Sequence, residues 1–167
     1  MKRVLSGIDT VSEWTGKGVS IVAPVITCLL AFELTMRYVF SAPTIWVHET
    51  SSYLYGALAI LAGAYVLHHG LHIKVDVVYG RFSPRARAIL DSFTFMCFFV
   101  FVGVVLIYGW EMALRSVRVM EISETPFGAA VWPLRLTLVV GTFLLLLQGL
   151  AEWIRTLHIA ITGRELA

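Results

Sequence analysis

The residues of this chain that could do chemistry are charged side chains set near the ends of long apolar stretches. Five of them stand out: Glu33, Arg37, Glu49, Glu111 and Arg135. A charge in lipid is costly, so each such group calls for a functional explanation. A relay for protons or substrate needs carboxylates deep in the membrane. None of these groups lies at that depth, so the pattern does not predict a relay.

Arg135 is unusual because it falls in the first turn of a predicted helix. A cation there opposes the helix macrodipole, so an acidic partner is expected. Glu111, Glu49 and Glu33 are the candidates. The alternative is that the guanidinium reaches out to the lipid headgroups.

Histidines form a second group, at one end of the second apolar stretch. His68, His69 and His72 cluster there, and His158 follows the fourth stretch. Haem ligands are expected inside a helical bundle, and structural zinc sites usually include thiolates. These histidines lie at the surface without a nearby cysteine, so we predict no metal and no cofactor. They are interpreted as interfacial imidazoles bonded to backbone or phosphate.

The elements that position these groups are four apolar stretches, each about long enough to cross a 30 Å hydrocarbon layer as a helix. They cover residues 19–40, 46–68, 88–110 and 131–153. All five tryptophans fall at their edges, as expected of headgroup-layer anchors: Trp14, Trp46, Trp110, Trp132 and Trp153. With 58% hydrophobic and 14% charged residues, the chain is predicted to be an all-α integral membrane protein with four transmembrane helices in one domain, residues 1–167.

This composition also excludes several functions. Too little chain lies outside the four stretches for a soluble catalytic domain, so we predict no catalytic residues and no enzyme. A net charge of +2 does not favour nucleic acid. No Gly-rich phosphate motif is present, which argues against coupling to ATP.

The orientation follows from the lysines and arginines, which favour cytoplasmic loops. Nine lie on the side of the termini and four on the other side. Both termini are therefore predicted to be cytoplasmic. Residues 4–18 place Ile8 and Val11 on one side of a helix and Asp9 and Glu13 on the other, which predicts an amphipathic helix in the cytoplasmic interface. A frayed tail is the alternative.

Small residues recur on one face of the second span at four-then-three spacing: Ser52, Gly56, Ala59 and Gly63. Such a face allows two helix backbones to approach closely in lipid. It could pack within this bundle or dock onto another polypeptide, and the spacing does not decide between them. Further on, Ser83 as N-cap and Pro84 at the first helical position predict the start of a third helix running to about Arg118.

Two segments resemble the small, DctQ-type membrane subunit of tripartite ATP-independent periplasmic (TRAP) transporters. Within residues 46–87 the resemblance is carried by Trp46, Glu49, Gly63, Ala64, Gly70, His72 and Asp76. Within residues 121–155 it is carried by Glu121, Ser123, Trp132, Pro133 and Gln148.

The resemblance implies a multi-pass subunit of the bacterial inner membrane, surrounded by lipids, that works with two partners. A large DctM-type membrane subunit would move an organic acid with sodium by an elevator motion, and a periplasmic binding protein would deliver it. This chain would brace the large subunit and help dock the binding protein. Two hypotheses follow: the Ser52, Gly56, Ala59, Gly63 face docks on the large subunit, and Arg37, Glu49, Glu111 and Arg135 order the outer surface.

Two other functions stay open on the residues alone. One is a respiratory membrane anchor that binds haem or quinone. The other is a small multidrug exporter, a class that also has four spans and a glutamate in the first. Glu33 is near the outer end of its span, however, and Arg37 can neutralise it.

Overall fold

A computed structural model describes residues 2–70 and 84–162, and within these ranges the chain is helical apart from its turns and loops. The helices are α1 (Lys2–Ser20), α2 (Val22–Tyr38), α3 (Val47–His68), α4 (Pro84–Arg118) and α5 (Trp132–Thr162). Four segments are long and apolar enough to cross a membrane: Leu5–Tyr38, Val47–His68, Phe93–Arg118 and Trp132–Ile159. The predicted all-α, four-span class is confirmed. The predicted bounds of the third long helix, from Pro84 to Arg118, are also confirmed.

Helices α1 and α2 form almost one rod, interrupted by a turn at Ile21. The first apolar segment therefore reaches back to Leu5, well before the predicted start at residue 19. Residues 4–18 are helical as predicted, whereas their position in the membrane interface stays a prediction.

Helix α5 is central, packing on α4 along one side and on α3 along another, while α2 packs on α3. Within the most apolar window of each span, 33% of α5 is buried inside the chain, against 6 to 11% in the other three. The glycines of α5 explain why its neighbours come so close. A Cβ on Gly141 would lie 3.1 Å from the backbone carbonyl carbon of Ile60, and one on Gly149 would collide with the Phe98 ring. The other three spans therefore expose most of their surface to lipid or to a partner.

The helix ends form two polar regions. At one, which we call the α1 end, α1 crosses the last turns of α3 and the second half of α5. At the other, the loop end, lie residues 39–46 and 119–131. The longer loop is folded back on itself, because the Ser123 N–H donates to the Ala129 carbonyl (2.8 Å) and the Val131 N–H to the Glu121 carbonyl (2.9 Å). Its last turn contains Gly128 at φ +65°, a left-handed conformation that glycine adopts without strain.

Candidate functional site: polar clusters at the two ends

A fully buried glutamine organises the α1 end. Gln148 is 0% exposed. Its Oε1 accepts a hydrogen bond from the Ser12 hydroxyl (2.8 Å), and its Nε2 donates to Asp9 Oδ1 (3.1 Å) and Glu152 Oε1 (3.2 Å). Both amide hydrogens are thereby used, which a buried amide requires. Three partners from two helices are held by this one side chain.

The charges around Gln148 compensate one another. Arg155 hydrogen-bonds Asp9 through one terminal nitrogen and Glu152 through the other, the latter at 2.5 Å. His68 Nδ1 lies 3.2 Å from Asp9 Oδ1. His68 Nδ1 also lies 3.2 Å from Gln148 Nε2. An Nδ1 that carries the proton donates to Asp9, and one without it accepts from Gln148. These six residues are the α1-end cluster: Asp9, Ser12, His68, Gln148, Glu152 and Arg155.

Two groups at this end have the donor atoms of a possible metal site. Glu13, His68 and His69 form one and Asp9, His68 and Glu152 the other, with the donor atoms of each group within 4.8 Å of one another. Each already contacts a resident cation. Lys17 lies 2.8 Å from Glu13, and Arg155 binds the carboxylates of the second group. A metal ion would have to displace these side chains, so the geometry does not argue for one.

The face that α1 buries is mixed and includes the polar residue Ser12. Leu5, Ser12 and Gly16 are buried, while Val11 is 49% and Trp14 73% exposed. A Cβ on Gly16 would overlap the Tyr65 ring, so glycine is needed for this approach. The amphipathic character of residues 4–18 stays a prediction, and the sequence does not show which side of this helix faces the protein.

At the loop end, a buried carboxylate secures the shorter loop. Glu33, 6% exposed, accepts hydrogen bonds from the Thr44 N–H (3.1 Å) and the Thr44 hydroxyl, and two from Arg37 (3.2 and 2.7 Å). Helix α2 is thereby tied to the segment that enters α3. A carboxylate held by four hydrogen bonds is a structural anchor.

Glu49 and Arg135 secure the longer loop from two helices. Glu49 is buried, and its carboxylate accepts hydrogen bonds from the Thr125 hydroxyl and, at 3.2 Å, from the Tyr53 hydroxyl. Arg135 forms its ion pair with Glu121 at 2.6 Å. The acidic partner expected for Arg135 is therefore present, but it is none of the three candidates. The folded loop explains the difference, because the Glu121–Val131 hydrogen bond brings Glu121 beside the first turn of α5.

The four residues predicted to order the outer surface thus have different surroundings. Arg37, Glu49 and Arg135 lie at the loop end, each with a partner of its own. Glu111 stands apart, exposed on α4 about two turns before the helix ends at Arg118. In the described part of the chain it has neither a hydrogen-bond nor an ion-pair partner.

The small-residue face of α3 is divided between two surroundings. Gly56 and Gly63 face α5, where a Cβ on each would lie 3.4 Å from a Leu134 methyl and 3.6 Å from a Leu145 methyl. Ser52 and Ala59 are exposed. Half of the face is therefore already occupied within this chain, and the other half is open.

The residues that carried the family resemblance lie mainly at helix ends. Trp46 caps α3 at its start, and Trp132 and Pro133 begin α5. Gly70 follows α3 at φ +64°, the conformation that ends a helix in a left-handed turn. His72 and Asp76 lie outside the described residues. Among these residues, Gln148 of the α1-end cluster makes the most hydrogen bonds. The only sign of this in the sequence is an amide side chain within an apolar span.

A protein-family model matches this chain. Residues 26–158 match the family model described as "Tripartite ATP-independent periplasmic transporters, DctQ component". The match covers well over half of the chain and includes Glu33, Glu49, Gln148 and Arg155. Helix α1, with Asp9 and Ser12, precedes it. No curated protein matches the chain.

Proposed function

This chain belongs to the DctQ family, the small membrane component of tripartite ATP-independent periplasmic transporters, and from that membership we propose that it is a static brace for the large membrane subunit. In this proposal the complex is a sodium-coupled symporter for an organic acid in a bacterial inner membrane. The chain holds the large subunit in place while that subunit moves, and it helps to receive the periplasmic binding protein. Its own termini and the α1 end are cytoplasmic, and the loop end faces the periplasm.

The observation that carries this proposal is that side chains at both ends secure the connections between helices. Glu33 and Glu49 secure the two loops at the loop end, and Gln148 secures α1 to α5 at the other. Buried, fully satisfied polar groups favour one arrangement over alternatives. A rigid unit is suited to bracing and unsuited to opening a pathway of its own.

The loop end offers a defined surface for the binding protein. The longer loop exposes Ile122 and Phe127, and the shorter loop exposes Phe40 and Ile45. Large apolar side chains that stay exposed in fixed loops are typical of protein contact sites. We place the landing surface here, with Arg37 at its edge.

The bonding of Glu33 bears on the exporter alternative. An exporter of that kind needs a carboxylate in the first span that is accessible from the membrane interior. Glu33 is bonded to Arg37 and Thr44 at the loop end. We therefore do not adopt that function.

Replacing Thr125 with valine tests the landing surface. The change removes the hydroxyl that Glu49 binds, and a hydrogen bond to a charged group stabilises by about 1.5–3 kcal/mol. We expect the longer loop to lose order, and the concentration of loaded binding protein needed for half-maximal uptake to rise by about tenfold, since tenfold corresponds to about 1.4 kcal/mol.

The control is Thr137→Val on α5, which removes an exposed hydroxyl bonded only to the Pro133 carbonyl. It should leave uptake unchanged. The measurement is uptake into proteoliposomes that contain the whole complex, over a range of binding-protein concentrations. An equal dependence on binding protein in the Thr125 variant and the wild type would remove the loop from the docking surface.

A further inference from the structure

An open groove of about 610 Å³ runs between α4 and α5 on the exposed side of the chain. Its walls are apolar, with Ile107 on α4 and Val140, Phe143 and Leu144 on α5 among the lining residues. Glu111 is the one charged residue in the lining. The groove can therefore receive the side-chain ridge of another helix, and its own wall contributes a single carboxylate.

Glu111 differs from the other carboxylates in the outer part of the spans. Glu33 is paired with Arg37, and Glu49 is bonded to Thr125. For Glu111 the described residues provide no partner. Ionised carboxylates within or beside the hydrocarbon are costly and usually pair with a cation. One that pairs with none of the described residues, at the edge of an apolar groove, points to a cation from a partner.

We propose that the α4–α5 groove receives a transmembrane helix of the large membrane subunit, and that a lysine or arginine on that helix pairs with Glu111. The inference rests on the proposed function and assigns a particular face to it. The contact is then apolar packing along Ile107, Val140 and Phe143 with one ion pair at its outer end. That pair fixes the register of the two helices.

The order of charges along α4 favours a side chain over a lipid headgroup as the source of the cation. Glu111 lies about 10 Å before the end of α4 at Arg118, at 1.5 Å per residue. An ethanolamine-type lipid carries its phosphate closer to its own acyl chains than its ammonium. Arg115 lies further out on α4 than Glu111, so the order of charges along α4 is the reverse of the order in such a lipid. A lysine or arginine on a neighbouring helix can pair with Glu111 without that conflict.

The small-residue face of α3 is a less suitable contact for a second helix. A Cβ added to either of its two glycines would be in van der Waals contact with Leu134 or Leu145 of α5. Only Ser52 and Ala59 remain exposed there. None of the described residues, by contrast, fills the α4–α5 groove.

Copurification of the large subunit tests the proposal. The tagged chain is coexpressed with its large subunit, extracted in mild detergent, and the amount of large subunit retained per chain is measured. Glu111→Lys should reduce retention at least fivefold because it places two cations together. Val140→Trp, which fills the groove, should do the same, and Glu111→Gln should have a smaller effect. The control is Glu124→Gln, which neutralises an exposed carboxylate on the longer loop. This variant should retain the wild-type amount of large subunit.

A cross-linking measurement guards against variants that do not fold. A photoreactive benzoylphenylalanine in place of Ile107 should cross-link to the large subunit. The same group in place of Met112, which points roughly 100° further round the helix than Glu111, should not. Cross-links from Met112 and none from Ile107 would overturn the proposal.

The outcomes separate this inference from the proposed function. If the wild-type chain retains no large subunit, both fail. If it does, and the Glu111→Lys and Val140→Trp variants retain as much, only the groove assignment is overturned. Unchanged retention together with a loss of copurifying phosphatidylethanolamine from Glu111→Gln would identify the groove as a lipid site and likewise overturn the helix assignment.

Discussion

Replacing Gly141 with alanine should lower the free energy of unfolding by about 1–3 kcal/mol, and replacing it with leucine should prevent stable assembly of the helices. A Cβ on Gly141 would lie 2.9 Å from Ile60 Cγ1 and 3.1 Å from the Ile60 carbonyl carbon. A side chain can rotate away from such a contact, but a backbone atom cannot. The helices α3 and α5 must therefore move apart by a few tenths of an ångström for alanine, and much further for leucine, which weakens their packing.

The matched control for this pair of variants is Gly103 on α4. A Cβ there meets nothing within 4 Å. Alanine at Gly103 should be neutral or stabilising by up to about 1 kcal/mol, because alanine is the better helix former. The measurement is unfolding of the purified chain in mixed micelles. Equal unfolding midpoints for Gly141→Ala and the wild type would contradict the close approach of α3 and α5.

Replacing Gln148 with leucine should loosen the attachment of α1 to α5. The Ser12 hydroxyl loses its acceptor, and Asp9 and Glu152 each lose a donor in a region with little water. A buried polar group left without a partner costs about 1–3 kcal/mol. Asp9 and Glu152 keep their bonds to Arg155, so the loss should be local. Amide hydrogen exchange should rise across residues 5–20 and stay unchanged in α4.

A double-mutant cycle with Ser12→Ala distinguishes this network from general damage to the core. The Ser12 and Gln148 side chains share a hydrogen bond, so the effects of replacing each of them should not add. The double variant should be destabilised by less than the sum of the two single variants. Strict additivity would mean that the two side chains do not interact, and unchanged exchange in α1 would mean that Gln148 does not hold it.

Several features of the fold follow from local sequence. The four spans are long apolar runs, and their number needs no knowledge of tertiary contacts. The start of α4 at Pro84 follows from the fixed φ of proline, which suits the first turn of a helix. The acidic partner of Arg135 could be anticipated because a cation at that position opposes the helix dipole.

Other features depend on contacts between distant parts of the chain. Glu121 becomes the partner of Arg135 only because the loop folds back, and no local pattern indicates that. Gly141 allows a closer helix contact than the regular small-residue face of α3 does. Whether a glycine is needed depends on which backbone approaches it, and the sequence does not show that. Ser12 of α1 faces inward because it donates a hydrogen bond to Gln148. The two residues lie more than one hundred positions apart in sequence, so no local pattern predicts this contact.

The same limit applies to the candidate site. Arg37, Glu49, Glu111 and Arg135 are recognisable as costly charges within spans, and the structure provides partners for three of them. Only the structure distinguishes Glu111 as the member without one. Only the structure, too, shows that Asp9 and His68 meet Gln148 at the other end.

A rigid brace keeps its internal distances while its partner moves, and two spin labels on this chain measure such a distance. Cys28 and Cys97 are first replaced by serine, and cysteines for labelling are introduced at Trp14 on α1 and Phe101 on α4, both of which are exposed. Pulsed electron resonance is recorded on the reconstituted complex at rest and with sodium and saturating loaded binding protein. We expect one unchanged distance distribution for the two labels within this chain. A pair with one label on this chain and one on the moving part of the large subunit should change its separation. A shifted or second distance within this chain during uptake would contradict it.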